Sequence, residues 1–73
     1  MGRLAGISGR RAVRAFERAG FAALPAKGSH VALRKPGHPA LIIPMHRSVS
    51  PFLLRAQIKR AGLSEREFMR LLK

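Results

Sequence analysis

Apolar residues recur at helical spacing near the start of the chain, shift to strand-like runs in the middle and return to helical spacing towards the end. Ala12, Phe16 and Ala19, widened by Val13, form the first stripe. Ser8 stands before it as a cap, its hydroxyl able to accept a free N–H of the first turn, and Gly20 follows as a stop. Residues 21–24 are a short apolar run ended by Pro25, which a strand tolerates only at an edge or an end, and they read as a first strand. In residues 30–35 Val31 and Leu33 point one way and His30, Ala32 and Arg34 the other, the alternation of a half-buried strand. Residues 26–28 connect these two runs. Lys35-Pro36-Gly37-His38-Pro39 is turn chemistry, and residues 41–44, Leu-Ile-Ile-Pro, give a third strand. Ser50-Pro51, a cap followed by proline at the first helical position, opens a helix carrying Leu54, Ile58 and Ala61, which Gly62 ends. Ser64 and Glu67 have capping-box spacing before a terminal helix with Phe68, Leu71 and Leu72 on its apolar side.

Three strands joined by short turns make an antiparallel meander, and flanking helices cover one of its faces. The expected fold is therefore a two-layer α+β domain spanning 1–73, with one sheet face open. Residues 1–7, basic and containing glycine, read as a mobile arm able to touch a polyanion. If Lys35 pairs with Ala40 across the turn, Val31 falls opposite Pro44 and Ser29 opposite His46, which brings His46 close to His30.

Charge narrows the function. Fifteen Lys and Arg against three Glu give a formal net charge of +12 on 73 residues. Such an excess points to nucleic acid, an anionic membrane or an acidic protein as partner. Arg10, Arg11, Arg14 and Arg18 fill the polar side of the first helix, where a solvated face and a phosphate-facing role fit equally well. No apolar run is long enough for a membrane span, so a soluble cytoplasmic protein is expected. Cysteine is absent, which leaves no disulfide and no cysteine-based metal site. Tyr and Trp are also absent, and the four Phe are assigned to the core, so phosphate contact is favoured over base stacking.

The candidate chemistry sits in Lys27-Gly28-Ser29-His30: a cation, a residue that permits a sharp turn, a hydroxyl and an imidazole that can move a proton near neutral pH. Taken alone, His30 is most simply an ordinary histidine at a strand end. Ser29 has no acid nearby to complete a nucleophilic triad and is read as an orienting or phosphate-binding hydroxyl. His46 and Arg47 lie in a basic loop, Arg34 shares the outward side of the second strand with His30, and His38 is a turn residue.

Gly20-Phe21, Lys27-Gly28-Ser29-His30, Ile43-Pro44-Met45-His46 and Lys59-Arg60-Ala61-Gly62-Leu63-Ser64 followed by Phe68, in this order and spacing, resemble the HicA family. These are small mRNA-interferase toxins of toxin–antitoxin pairs, and the resemblance runs from about Arg10 onward. It implies a double-stranded-RNA-binding-like α-β-β-β-α fold, in agreement with the element order. It further implies a ribosome-independent endoribonuclease acting on mRNA, with His30 as its single catalytic histidine, and an acidic antitoxin of the HicB type covering the site. Phosphate binding by Lys27, Gly28, Ser29, Arg34, His46 and Arg47 would accompany it, with no metal or other cofactor required. The chain departs from the family's usual glycine-threonine pair before the leucine of the second helix, carrying Phe52-Leu53 there.

Two other readings keep the same residues. A non-catalytic RNA-binding module would use the same fold and charge, since fold does not decide activity. A membrane-active amphipath built on the first helix fits less well, because its apolar stripe is narrow and such a peptide needs no strand meander.

Overall fold

The computed structural model describes residues 3–25 and 27–73. The first helix, α1 (Gly9–Arg18), begins where Ser8 caps it, the Arg11 amide donating to the Ser8 hydroxyl at 3.1 Å. It closes at Ala19, and Gly20 follows with φ +102°, a backbone setting open to glycine and strained for other residues. The side of α1 that faces inward carries Ala12, Val13, Ala15 and Phe16.

Strands β1 (Ala22–Ala23), β2 (His30–Arg34) and β3 (Leu41–Pro44) form an antiparallel sheet in the order β1-β2-β3. The first strand is shorter than residues 21–24 because Phe21 turns into the core, where its ring meets Phe16 edge-on at 6.1 Å. Leu24 still joins the ladder, its amide donating to the Ala32 carbonyl at 2.8 Å. The connection expected over 26–28 lies partly outside the described residues, since Ala26 is not among them.

Val31 stands opposite Ile43 and Leu33 opposite Leu41, one residue away from the register expected from a Lys35–Ala40 pair. The reason is the pleat. Pairing Val31 with Pro44 would put Ile42 and Pro44 on the core face and turn Leu41 and Ile43 outward, whereas in the observed register Val31, Leu33, Leu41 and Ile43 are all buried together. The turn accommodates this register: the His38 amide donates to the Lys35 carbonyl at 3.1 Å, and Pro36 and the positive-φ Gly37 take the two central positions of a type II turn.

After the loop 45–50 comes α2 (Pro51–Arg60), capped by Ser50 and buried through Leu54 and Ile58; α3 (Glu65–Leu71) follows with both hydrogen bonds of its capping box present. α1 and α2 lie against one face of the sheet and α3 packs on these two helices, Phe16 of α1 meeting Phe68 of α3 with ring centroids 5.0 Å apart. The α-β-β-β-α order with a short extra helix is the one expected from the sequence. The other sheet face is open, leaving Leu24 and Ile42 partly exposed. At the free edge of β3, α2 supplies partners for the backbone: Gln57 accepts from the Ile42 amide at 3.2 Å and Arg60 donates to the Ala40 carbonyl at 2.9 Å.

One expectation gives way. From Leu4 onward the opening segment is not a free arm: Leu4 and Ile7 are core residues, and the Ile7 carbonyl accepts from the Val49 amide at 2.8 Å. Burying two large aliphatic side chains contributes about 1.5–3 kcal/mol each, which a thin core of this size requires. Met1 and Gly2, the rest of that expected arm, lie outside the described residues. No helix among the described residues is long and apolar enough to cross a membrane.

Candidate functional site

Lys27 and His30 exchange both backbone hydrogen bonds, at 3.0 and 3.2 Å, so Gly28 and Ser29 are the central pair of a two-residue hairpin turn. Gly28 has φ +61° and Ser29 does not have a positive φ, the combination of a II′ turn. A Cβ added at Gly28 would meet nothing within 4 Å, so the backbone conformation, not lack of space, is what favours glycine here. The turn has a direct chemical consequence. It makes His30 the first residue of β2, with its side chain on the open sheet face opposite Pro44, and it leaves Lys27, Gly28, Ser29 and His30 all exposed. The Gly28 and Ser29 amides have no protein acceptor among the described residues, and the His30 imidazole has no hydrogen-bonded protein partner there either.

The remaining predicted residues fall at varying distances from this turn. The Met45 amide donates to the Ser29 carbonyl at 2.6 Å, extending the ladder one step past β3. Ser29 thus faces Met45 and not His46, the register correction carried to the end of the sheet. His46 comes one residue later, exposed, its carbonyl held by the Gly9 amide at 2.9 Å, and Arg47 is exposed beside it. The loop therefore rests on the start of α1. Arg34 shares the open face with His30 but lies four residues along β2, about 13 Å away. His38 is exposed but does more than occupy a turn: its ring packs edge-on against Phe21 at 5.7 Å.

The cations divide into two sets. Arg18 donates to the Leu71 and Lys73 carbonyls at 2.6 and 2.7 Å, closing the end of α3. Lys35 donates to the Ala19 carbonyl at 2.9 Å and lies 5.5 Å from the Phe21 ring centre, Arg60 serves the β3 edge, and Arg55 pairs with Glu65 at 2.9 Å. Arg10, Arg11 and Arg14 on α1, with Lys27, Arg34, Arg47 and Lys59, have no protein hydrogen-bond acceptor among the described residues. Of the four arginines placed on the first helix, Arg18 is the one engaged in holding the fold. Charge without a partner is what a polyanion's phosphates can use.

Phe52 departs from the expectation that every Phe sits in the core: it is 82% exposed in the first turn of α2. The signal was in the helical spacing, because position 52 lies on the side of the helix away from Leu54 and Ile58. One hollow lies well away from His30. It holds about 660 Å³ at the far end of the sheet, among Arg34, Lys35, Gly37 and His38. The His30 turn is a projecting surface, a shape suited to a polymer lying across it and unlike the concave sites that enclose small molecules. Among the described residues no three His, Asp or Glu side chains are grouped to hold a metal ion.

No curated protein sequence matches the chain. A family model described as HicA toxin of bacterial toxin–antitoxin does match, over residues 9–63. The matched span runs from the buried Gly9 at the start of α1, through the Lys27–His30 turn and the sheet, to Leu63 beyond α2. With three quarters of its length matched, on the α-β-β-β-α framework described above, the chain belongs to the HicA family, the toxins of bacterial toxin–antitoxin systems.

Proposed function

We propose that this toxin is an endoribonuclease that cleaves mRNA at the Lys27–His30 turn. The observation that carries the reading is the turn itself: a two-residue hairpin that brings together an exposed cation, two amides with no protein acceptor among the described residues, and an exposed imidazole. Cleavage of RNA requires removal of a proton from the attacking 2′-hydroxyl or water, stabilisation of added charge at phosphorus, and protonation of the leaving 5′-oxygen. His30 is the group able to take the first proton and return it to the leaving oxygen. Lys27 and the Gly28 and Ser29 amides are the donors for the phosphate oxygens, and the Ser29 hydroxyl orients the group. Arg34, His46 and Arg47 hold neighbouring phosphates of the same strand.

The antitoxin partner of this family is, on this reading, an acidic protein of the HicB type that covers the turn. A net charge of +12 favours a partner of opposite sign through long-range attraction as well as contact. The soluble cytoplasm, where mRNA and antitoxin both meet the toxin, is the corresponding location.

A second reading, a non-catalytic RNA-binding module, is favoured by one feature: no protein group among the described residues hydrogen-bonds to the His30 imidazole, whereas a general base is commonly held by a third group. Cleavage of a long RNA by wild type and His30→Ala, compared at matched RNA affinity, separates the two. The ribonuclease reading expects cleavage by the wild type and none by the variant with RNA affinity retained. Equal cleavage by both, or none by the wild type, refutes it.

A further inference from the structure

We infer that Phe52 is a base-stacking residue, the point at which a single RNA strand leaving the His30 turn is gripped by a base and not by a phosphate. The inference rests on the ribonuclease reading above and adds to it a contact that charge alone does not supply.

Three observations carry it. The first is the ring's isolation. Phe16, Phe21 and Phe68 are buried, whereas Phe52 leaves four-fifths of its surface in water. Its neighbours along the outward side of α2, Arg55, Ala56 and Lys59, are all exposed. The second is the charge around it. The loop that leads into α2 presents exposed His46, Arg47 and Ser48, and Lys59 lies two turns further along the helix. Arg55 is occupied by Glu65, but Arg47 and Lys59 have no protein acceptor among the described residues. A protein seated on the ring would have to desolvate those cations or match each with an acid. A single RNA strand brings an aromatic face for the ring and phosphates for the cations in the same covalent repeat.

The third observation is position. Arg60 reaches Ala40 and Gln57 reaches Ile42, which fixes α2 alongside β3 with its earlier turns towards the end of that strand. Continued by one and a half turns, this places Phe52 level with Pro44 and Met45, the residues opposite His30 and Ser29. The ring thus stands at the same end of the sheet as the His30 turn, joined to it by the basic loop 45–50. A strand crossing the turn and passing round the β3 edge over His46 and Arg47 arrives at Phe52.

The test uses the absence of Trp and Tyr from the chain. A Phe52→Trp variant carries one indole and no competing emission, and position 52 is exposed enough that the change leaves the fold intact. The full chain is titrated with a short single-stranded 2′-O-methyl oligoribonucleotide, which has no free 2′-hydroxyl to react. The expected result is indole quenching that saturates with binding, together with a loss of oligonucleotide affinity of about 5- to 150-fold in Phe52→Ala, restored in Phe52→Trp. In cleavage assays Phe52→Ala raises KM and leaves kcat unchanged. Binding without quenching, with Phe52→Ala as tight as wild type, overturns the inference while the ribonuclease reading stands on its own cleavage result. Loss of antitoxin affinity alone in Phe52→Ala also overturns it, and makes the ring a protein anchor. A wild-type chain that neither binds nor cleaves RNA overturns both.

Discussion

Replacing Gly9 by Ala sets two opposed effects against each other at the junction between α1 and the basic loop. Alanine is the better helix former, by about 1 kcal/mol in a helix interior and less in a first turn. The structure opposes it. Gly9 is buried, and a Cβ there would lie inside contact distance of the Pro44 carbonyl oxygen and 2.8 Å from the Met45 Cα. Both obstacles are backbone, so no side-chain rotation relieves them. Either α1 moves away from the end of β3 or the loop moves away from α1, and each breaks the Gly9 to His46 hydrogen bond of 2.9 Å. Overpacking costs about 1–3 kcal/mol and a lost hydrogen bond about 0.5–1.5 kcal/mol. Subtracting the gain in helix propensity leaves a net destabilisation of about 2 kcal/mol. For a domain of this size that lowers the melting temperature by about 8–16 °C. Thermal and urea unfolding followed by far-ultraviolet circular dichroism measures it. A Gly9→Ala variant as stable as wild type, or more so, would show that helix propensity wins and that the close approach of α1 to Pro44 has no energetic weight. Because the same contact positions His46 and Arg47, RNA affinity should fall with stability.

Two arginines of α1 should behave differently. Arg18→Met loses both bonds to the α3 terminus, lowering stability by about 1 kcal/mol and loosening the last amides in hydrogen exchange, whereas Arg14→Met leaves stability unchanged and reduces the salt dependence of RNA binding by about one phosphate's worth. Equal effects of the two on stability would contradict the division of cations drawn here. Gly28→Ala has room for its methyl but not for its backbone angle, so unfolding should cost about 1–2 kcal/mol less, with a larger proportional loss of cleavage because the turn aims His30. Glu67 accepts from the Ser64 amide at 2.8 Å, and this bond, more than the Ser64 hydroxyl or nearby Arg70, holds its carboxyl below the usual value. A lowered folded-state pKa contributes stability above the unfolded value and loses it as pH falls through the folded one. The first turn of α3 should therefore fray on acidification through the carboxylate range in wild type, and lose that pH dependence in Glu67→Gln, as read by amide chemical shifts; identical pH profiles would exclude the box as the cause.

The sequence by itself determined what depends on near neighbours. Ser8, Ser50 and Ser64 cap helices, Gly20 and Gly62 end them, and the alternation in β2 decides that His30 faces outward, because each is settled within a few residues of backbone geometry. The Lys27–His30 turn was legible only in part: Gly28 permits a sharp bend and the alternation starts β2 at His30, but a two-residue turn centred on Gly28 and Ser29 differs from the connection expected over 26–28. Only the tertiary structure decided the rest. The register of β2 against β3 differs by one residue from the reading off the turn, because it is fixed by burying four aliphatic side chains at once and not by loop length. Leu4 and Ile7 join the core because a chain this small has surface to cover that local pattern does not reveal. Which cations close carbonyls and which stand free also depends on residues far apart in sequence, as with Arg18 and Lys73. Phe52 shows the same limit from the other side: its apolarity argued for the core, but the core-facing side of α2 was already taken by Leu54 and Ile58, and the ring was left in solvent.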